Sequence, residues 1–198
     1  TPEWQLEILR IFLDKRFKLL PIEINEVWEL EKFYFSSFWH VDCSAYIPSE
    51  LVDFIRKKIF NHYGINPKIE RKRRIIFSRE KIIRRRILNR KEFLDLLERY
   101  KFENVNPQDL SFKEQVELAN SAEIIIGMVG SAFANIVFGT NLKVIVIFPP
   151  SLIISHYLLF CKSLNFTYRY IIAHNENDKL DCEVNLKELE EILKELST

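Results

Sequence analysis

Five consecutive apolar residues, Val144-Ile145-Val146-Ile147-Phe148, constrain the fold more than any other feature of the sequence. An unbroken apolar run, rather than an alternating one, is typical of a strand that is buried on both faces, as in a parallel sheet. Pro149 and Pro150 follow the run and end the strand, because proline has no amide to donate to a neighbouring strand. The run therefore predicts a parallel sheet that helices cover on both sides.

Strand and helix patterns alternate on either side of this run. The pattern predicts further strands at 73–78, 102–105, 123–126 and 168–172, extended pieces at 21–24 and 31–35, and helices at 4–17, 48–61, 91–100, 112–122, 131–138, 153–163 and 185–196. Gly127 is expected to end the strand before it, and Ser111 with Glu114 forms a capping-box pattern at a helix start. The alternation predicts the α/β class, with a doubly wound, Rossmann-like parallel sheet and right-handed crossovers.

The cysteines and the hydropathy pattern indicate a reduced, aqueous location. Cys43, Cys161 and Cys182 are odd in number and far apart, which predicts free thiols rather than a disulfide framework. No apolar run approaches the roughly 18 residues that a transmembrane helix needs, and the first residues do not resemble a signal sequence. A cytoplasmic location is therefore expected. The chain starts without methionine, so we also expect upstream residues to be missing.

Positive charge is concentrated in one segment, from Lys68 to Lys91. The whole chain has 29 basic and 28 acidic residues, but this segment has twelve basic residues against two acidic ones. Such a concentration predicts an anion site. Nucleic-acid binding is an alternative that would make affinity strongly dependent on salt. The segment has almost no aromatic residue for base stacking, so we expect no nucleic-acid partner.

The first candidate loop follows the strand at 73–78. Ligands of doubly wound sheets lie beyond the carboxyl ends of the strands, which is where Ser78 and Arg79 come in the sequence, with Arg85 and Arg86 a few residues further on. Guanidinium groups bind phosphate oxygens two at a time. We expect these arginines to bind an anion, and the basic residues at 71–74, which precede the strand, to lie on the surface. A solvated basic face is the alternative interpretation of the whole segment.

The second candidate loop is Gly127-Met128-Val129-Gly130-Ser131-Ala132. A glycine turn at the start of a helix lets backbone amides approach a phosphate, and the helix dipole favours negative charge there. Asn135 lies four residues after Ser131, on the same face of the predicted helix. The loop is neither the three-glycine dinucleotide fingerprint nor a P-loop. Ordinary packing at a strand-to-helix turn is the alternative.

Read together, these loops resemble the conserved segments of glycosyltransferase family 61, found among capsular polysaccharide biosynthesis proteins. That family typically shows a strand ending Ile-Ser-Arg, then Arg-Arg-Ile-x-Asn-Glu, a Gly-Phe-Glu strand, Leu-Ser-Phe-x-Glu-Gln, and Gly-x-His-Gly-Ala-Gly-Leu-Thr-Asn. The corresponding segments here, in the same order, are Ile76-Phe77-Ser78-Arg79, Arg85-Arg86-Ile87-Leu88-Asn89, Lys101-Phe102-Glu103-Asn104-Val105, Leu110-Ser111-Phe112-Lys113-Glu114-Gln115, and Gly127-Met128-Val129-Gly130-Ser131-Ala132-Phe133-Ala134-Asn135.

The resemblance implies inverting transfer of a sugar from a nucleoside-diphosphate donor, expected to be UDP-linked, to a glycan hydroxyl in polysaccharide biosynthesis. It implies donor-binding roles for Ser78, Arg79, Arg85, Arg86, Asn89, Gly130, Ser131 and Asn135. Glu114 is a further possible contact, although the capping box alone explains its presence. No Asp-x-Asp motif ends a strand, and cationic side chains can replace a metal ion at a departing diphosphate, so we expect neither a metal nor another cofactor.

The family resembles two-domain GT-B enzymes, in which the second Rossmann-like domain holds the nucleotide sugar. The resemblance therefore implies that residues 36–198 are this C-terminal domain and that residues 1–35 are a linker or the tail of a preceding, missing N-terminal domain. The acceptor site would then lie outside the chain, and so would the catalytic base unless a residue of this chain supplies it. Association with a membrane surface is left open, without a transmembrane segment.

Two departures from the family pattern bear on catalysis. Val129 stands where the family usually has histidine, and Arg90 replaces the glutamate that commonly follows Asn89. The first change removes a proton carrier beside the donor sugar, which makes a catalytically degenerate nucleotide-binding module the main alternative. Of the four histidines, His40 alone is expected near a cleft, and it is a weak candidate for the catalytic base.

Overall fold

The computed structural model describes residues 3–13, 16–32 and 47–197. The chain divides into two compact units, 1–44 and 45–198. In the first unit, α1 (Glu3–Phe12) has no buried residue, and the described residues that follow it form no strand. Helix α1 ends at Phe12, so the helix predicted at 4–17 is too long. The extended piece predicted at 21–24 does not join a sheet, since no described strand pairs with its backbone. The boundary predicted at residue 35 stays a prediction, and His40 and Cys43 lie outside the described residues.

The second unit contains the alternating elements. They are α2 (Ser49–Tyr63), β1 (Arg73–Phe77), α3 (Arg90–Arg99), β2 (Phe102–Val105), a 3₁₀ turn (Pro107–Asp109), α4 (Phe112–Ser121), β3 (Ala122–Met128), a 3₁₀ helix (Ser131–Phe138), β4 (Lys143–Phe148), α5 (His156–Ser163), β5 (Thr167–Ile172) and α6 (Leu186–Ser197). The five strands form one sheet in the order β2-β1-β3-β4-β5, and every neighbouring pair is parallel. The predicted fold class, a Rossmann-like α/β sheet, is confirmed.

Helices cover both faces of the sheet, as the apolar runs predict. On one face, Phe93 and Leu97 of α3 and Leu193 of α6 share a buried cluster with Ile124 and Ile126 of β3. On the other face, the Phe133 ring of the 3₁₀ helix lies 5.5 Å from the Phe77 ring of β1. The β4 residues 144–148 are all buried. Burial on both faces explains why residues 144–148 are all apolar.

Gly127 does not end β3, which corrects one prediction. The strand continues to Met128, and Gly127 pairs with Phe77 on one side and with Val146 on the other. A Cβ atom at this position would lie 3.0 Å from the Phe77 carbonyl oxygen and 3.1 Å from its Cβ. Glycine is therefore required by the close approach of two strands rather than by a turn.

Two helices differ from their predicted form. Residues 131–138 form a 3₁₀ helix, in which residues three apart lie above one another; Phe133 and Ile136, at that spacing, are both fully buried. Helix α5 begins at His156 rather than at residue 153, since the Leu152 amide donates to the Pro149 carbonyl in a turn after the proline pair.

The predicted capping box at the start of α4 is present. The Ser111 Oγ accepts from the Glu114 amide at 3.3 Å, and the Glu114 carboxylate accepts from the Ser111 amide at 2.7 Å.

Cys161 and Cys182 are free and buried, and burial raises the pKa of each thiol to about 12. Among the described residues, no helix combines the length and apolar character that crossing a membrane demands.

Candidate functional site

The strand order reverses between β1 and β3. From β1 the chain passes outward to the edge strand β2, and it returns to place β3 on the other side of β1. The connections on the two sides cover opposite faces, which leaves a crevice at the carboxyl ends of these two strands. Ser78 and Arg79 follow β1, and Val129 and Gly130 follow β3. Both loops that the sequence singles out therefore lie at this crevice.

Arg79 packs against the Gly130 turn. A Cβ atom at Gly130 would overlap the Arg79 guanidinium, so the absence of a side chain at Gly130 makes room for that cation. Within the part of the chain that the structure describes, Arg79 has no carboxylate partner, and its buried Nε has no hydrogen-bond acceptor. Burial, with help from the charges of Arg85 and Arg84, lowers the pKa of Arg79 to about 10. A half-buried cation without a counter-charge is a ready binding partner for an anion.

Arg85 reaches the same Gly130 turn from the loop between β1 and α3, which also contains Arg79. Its Nη1 donates to the Val129 carbonyl at 2.9 Å, while its Nε is buried without an acceptor among the described residues. Burial, followed by the charge of Arg84, lowers the pKa of the Arg85 side chain. The backbone of Arg85 lies in the left-handed region, with φ of 57°, which an L-residue adopts at a cost of about 1 kcal/mol. This conformation turns the loop back towards the end of β3.

Tyr157, on α5, also contacts the Gly130 turn, and the sequence does not predict this contact. Its hydroxyl donates to the Gly130 carbonyl at 2.6 Å, and its ring lies 5.2 Å from the Phe133 ring. Burial raises the pKa of this hydroxyl, although the charges of Arg85 and Arg79 oppose the shift. An isolated tyrosine on a helix gives no sequence signal of such a contact, because 27 residues separate it from Gly130.

A pocket of about 560 Å³ opens beside these arginines, between the ends of β1 and β3 and the start of α3. Its walls combine polar and charged side chains with an apolar floor, and include Ser78, Arg79, Glu80, Arg85, Arg86, Arg90, Asn104, Ile76, Phe77, Phe93, Leu94 and Met128. This volume lies within the usual range of small-molecule sites, which join apolar surface to a few polar groups. The pocket brings together four predicted site residues: Ser78, Arg79, Arg85 and Arg86.

Arg86 differs from the other two arginines because it has a partner. Its Nη2 and Nε bind one oxygen of Asp181 at 2.8 and 3.2 Å, and this hydrogen-bonded pairing raises the pKa of Arg86. Burial alone would raise the pKa of Asp181, but the bonds from the side chain and backbone of Arg86 outweigh it and lower that pKa. Asp181 comes 95 residues later in the chain, and the sequence does not predict this pairing.

The remaining predicted residues lie outside the pocket lining. Asn89 binds the backbone of Val184 through both its amide nitrogen and its oxygen. The Asn135 amide donates to the Gln115 side chain at 2.7 Å, and the Glu114 carboxylate is occupied by the Ser111 cap. Ser131 is exposed at the start of the 3₁₀ helix. Gly130 is not part of the lining either, and donor contacts by all the predicted residues, those in the pocket included, stay predictions.

The basic segment separates into two groups. At the amino ends of the strands, Arg73 pairs with Glu103 and Arg74 with Glu123. These pairs balance the charge of the arginines that were expected to lie on the surface. Arg79 and Arg85, at the opposite ends of the strands, have no such pairing among the described residues. The contrast favours an anion site over a uniformly solvated basic face.

The positions of the His, Cys, Asp and Glu side chains bear on whether the protein can hold a metal ion. Nowhere in 3–13, 16–32 or 47–197 do three His, Cys, Asp or Glu side chains gather closely enough to hold a metal ion. The cations that line the pocket are themselves unsuited to metal coordination, because arginine has no acceptor atom. Metal independence of the reaction stays a prediction.

A parallel sheet with a cation-lined pocket where its strand order reverses defines the class of the protein, a doubly wound α/β domain with a site suited to an anionic ligand. Its family follows from the sequence. The profile described as Glycosyltransferase 61 matches residues 4–147, more than half of the chain, and the chain belongs to that family. It is an enzyme of the glycosyltransferase kind, with a sugar donor and an acceptor as substrates. No curated protein matches the chain. The match ends before α5, so Tyr157 and Asp181 lie beyond it.

Proposed function

We propose that this domain binds the diphosphate of a nucleoside-diphosphate sugar whose nucleotide is UDP. The enzyme would transfer the sugar, with inversion, to a glycan hydroxyl in polysaccharide biosynthesis. One observation carries the proposal: two guanidinium groups, Arg79 and Arg85, reach the Gly130 turn without a carboxylate partner among the described residues. Guanidinium–phosphate bonds are charge-assisted and about twice as strong as neutral ones. A diphosphate would supply the missing negative charge.

The same groups would assist the chemical step. Negative charge develops on the diphosphate as the bond to the sugar breaks, and the fixed cations, together with backbone amides of the Gly130 turn, would stabilise it. Such fixed charge makes a metal ion unnecessary in this proposal. The apolar floor of the pocket would accept the base or the ribose. A base that deprotonates the acceptor would come from elsewhere, either from a preceding domain of a GT-B arrangement or, as a weak candidate, from His40.

A catalytically degenerate nucleotide-binding module is the second candidate, and one observation favours it. Val129, where the family usually has histidine, is 1% exposed. Its amide donates to the Ile147 carbonyl, and its own carbonyl accepts from Arg85. The residue therefore contributes its backbone to the site but no proton-transfer group. Under this alternative the diphosphate site would remain and turnover would be lost.

Calorimetry with UDP, UMP and uridine tests the diphosphate site. We expect UDP to bind at least about tenfold more tightly than UMP, because only UDP can engage both arginines. Arg79→Met and Arg85→Met should each weaken UDP binding by about tenfold or more, while the matched control Arg73→Met, at the far end of β1, should leave it unchanged. Equal affinity for UDP and uridine would contradict the proposal.

Turnover separates the two candidates. Transfer or hydrolysis of UDP-sugars, measured across a panel of sugars with and without EDTA, should show metal-independent release of UDP from the enzyme. Tight UDP binding with no release from any donor would favour the degenerate module. Activity that disappears with EDTA and returns with added metal would contradict metal independence alone. Assays with vesicles in the same panel would test association with a membrane surface.

A further inference from the structure

A segment near the end of the chain runs alongside residues 85–88, which we call the arginine loop. The amides of Arg85 and Leu88 donate to the carbonyls of Lys179 and Cys182 at 2.9 Å each. The amide of Cys182 donates in return to the Arg86 carbonyl at 3.0 Å, and Ile87 and Cys182 form a parallel bridge. We call residues 179–184 the support segment. It lies beyond the residues that the family profile matches.

Asp181 is the charged residue at the centre of the support segment, and it is fully buried. One carboxylate oxygen accepts from the Arg86 amide at 2.8 Å, and the other accepts from Nε and Nη2 of the Arg86 side chain. The carboxylate therefore fixes both the backbone and the guanidinium of the same residue. Asn177 holds Asp181 in turn, since its Oδ1 accepts from the Asp181 amide at 3.0 Å.

These bonds act where the arginine loop is strained. Arg85, immediately before Arg86, has the left-handed backbone that directs its side chain to Val129. A conformation of this kind persists only where its surroundings over-determine it. Here two consecutive amides are held: that of Arg85 donates to the Lys179 carbonyl, and that of Arg86 donates to the Asp181 carboxylate. Asp181 also fixes Nε and Nη2 of Arg86, whose Nη1 has no protein partner among the described residues.

We propose that Asp181 is the positioning residue of the anion site: it does not touch the ligand, but by binding Arg86 it holds the neighbouring Arg85 in the arrangement that binds the diphosphate. The proposal rests on the proposed function for the identity of the ligand. It differs from a general structural role, because a buried carboxylate could stabilise the fold without affecting Arg85. A positioning role requires that Asp181 matter to binding only while Arg85 is present.

A double-mutant cycle measures that dependence. Asp181→Asn, Arg85→Met and the double variant are made in the full chain, and dissociation constants are measured for UDP and for inorganic pyrophosphate. We expect Asp181→Asn and Arg85→Met each to weaken binding of both probes by about tenfold. The double variant should bind no more than about twofold more weakly than Arg85→Met alone.

Glu103→Gln is the matched control. It removes a carboxylate that binds one arginine, Arg73, at two nitrogens, and neither residue lines the pocket. Binding should change by less than about twofold. Thermal unfolding of every variant accompanies the measurements. If Asp181→Asn fails to fold, Asn177→Ala, which loosens Asp181 without leaving a charge unpaired, takes its place in the cycle, with a smaller effect in the same direction.

The outcomes separate this inference from the proposed function. Additive losses, about a hundredfold in the double variant, would overturn the positioning role while UDP binding by the parent chain still supports the donor site. A non-additive cycle with pyrophosphate, in a chain that binds UDP no better than pyrophosphate, would support the positioning role and count against a nucleotide donor. A parent chain that binds neither probe would overturn both.

Discussion

At the scale of single residues, the site depends on the absence of a carboxylate partner for Arg79 and Arg85 among the described residues. Six of the twelve cations of the basic segment have a carboxylate partner, such as Arg73 with Glu103, or Lys81 with Asp109. Arg79 has none among the described residues, and it is half-buried, which opposes its charge. Keeping a charge in such a place costs stability unless a ligand neutralises it.

The two glycines of the second loop should respond differently to alanine. A Cβ atom at Gly130 meets the end of the flexible Arg79 side chain, whereas at Gly127 it meets the Phe77 backbone. Gly130→Ala should therefore weaken UDP binding by about tenfold with little change in melting temperature. Gly127→Ala should lower the free energy of unfolding by about 1–3 kcal/mol through overpacking. Calorimetry and thermal unfolding of both variants check this, and the reverse pattern would contradict it.

The lowered pKa of Arg79 predicts a pH dependence of binding. UDP requires the charged guanidinium, so its affinity should fall as pH rises through about 10, the pKa of Arg79 in the free protein. The folded state loses this proton before the unfolded state does, so the same group makes stability rise with pH there. Unfolding caused by Arg79 cannot explain the loss of affinity. Titrations from pH 8 to 10.5 should show the fall in the parent chain and a flatter profile in Arg79→Met.

The sequence predicts one half of the residue-scale site and misses the other half. Arg79 and Arg85 can be found because they follow a recognisable strand, and strand ends of a parallel sheet share one edge. Asp181 and Tyr157 have no such signal, since each acts through one contact across a long stretch of chain. Nor does the sequence predict that the Asp181 carboxylate binds Arg86.

At the scale of elements, periodicity and capping predict most of the helices and strands. The strand predicted at 102–105 has those bounds in the structure, and the Ser111 cap starts α4. The misses occur where tertiary contacts decide the backbone. Gly127 continues β3 because two neighbouring strands pair with it, and local sequence at a glycine favours a turn instead.

The capping box offers a test of Glu114 at this scale. Ser111→Ala removes the acceptor of the Glu114 amide and should lower the free energy of unfolding by about 1 kcal/mol, with unchanged UDP affinity. Glu114→Gln should change neither quantity, because glutamine also serves in a capping box. Chemical denaturation and calorimetry measure the two effects. A loss of UDP affinity in Glu114→Gln by more than about threefold would indicate a donor contact instead.

At the scale of the whole molecule, all the described residues of the anion site belong to the unit formed by residues 45–198. The sheet order brings β1 and β3 together, and the support segment joins the end of the chain to the first loop. The site is therefore built by residues spread over most of this unit. The sequence predicts the class of the sheet, but the strand order follows only from which strands pair.

Removing residues 1–44 tests how far the donor site depends on them. A chain of residues 45–198 should bind UDP within about threefold of the full chain, because every contact described at the pocket lies within that unit. Saturating UDP, at about a hundred times its dissociation constant, should stabilise both chains by about 2.7 kcal/mol. Calorimetry and thermal shifts measure this, and a tenfold weaker affinity in the shorter chain would assign part of the site to residues 1–44.

The left-handed backbone of Arg85 has a consequence for protein engineering. Glycine adopts this conformation without the steric cost that a side chain imposes, so a search for greater heat tolerance would favour glycine at position 85. That exchange would relieve local strain and, in the same step, delete a cation from the pocket. Thermostability and ligand recognition are in competition at this position, and optimising the first alone would sacrifice the second.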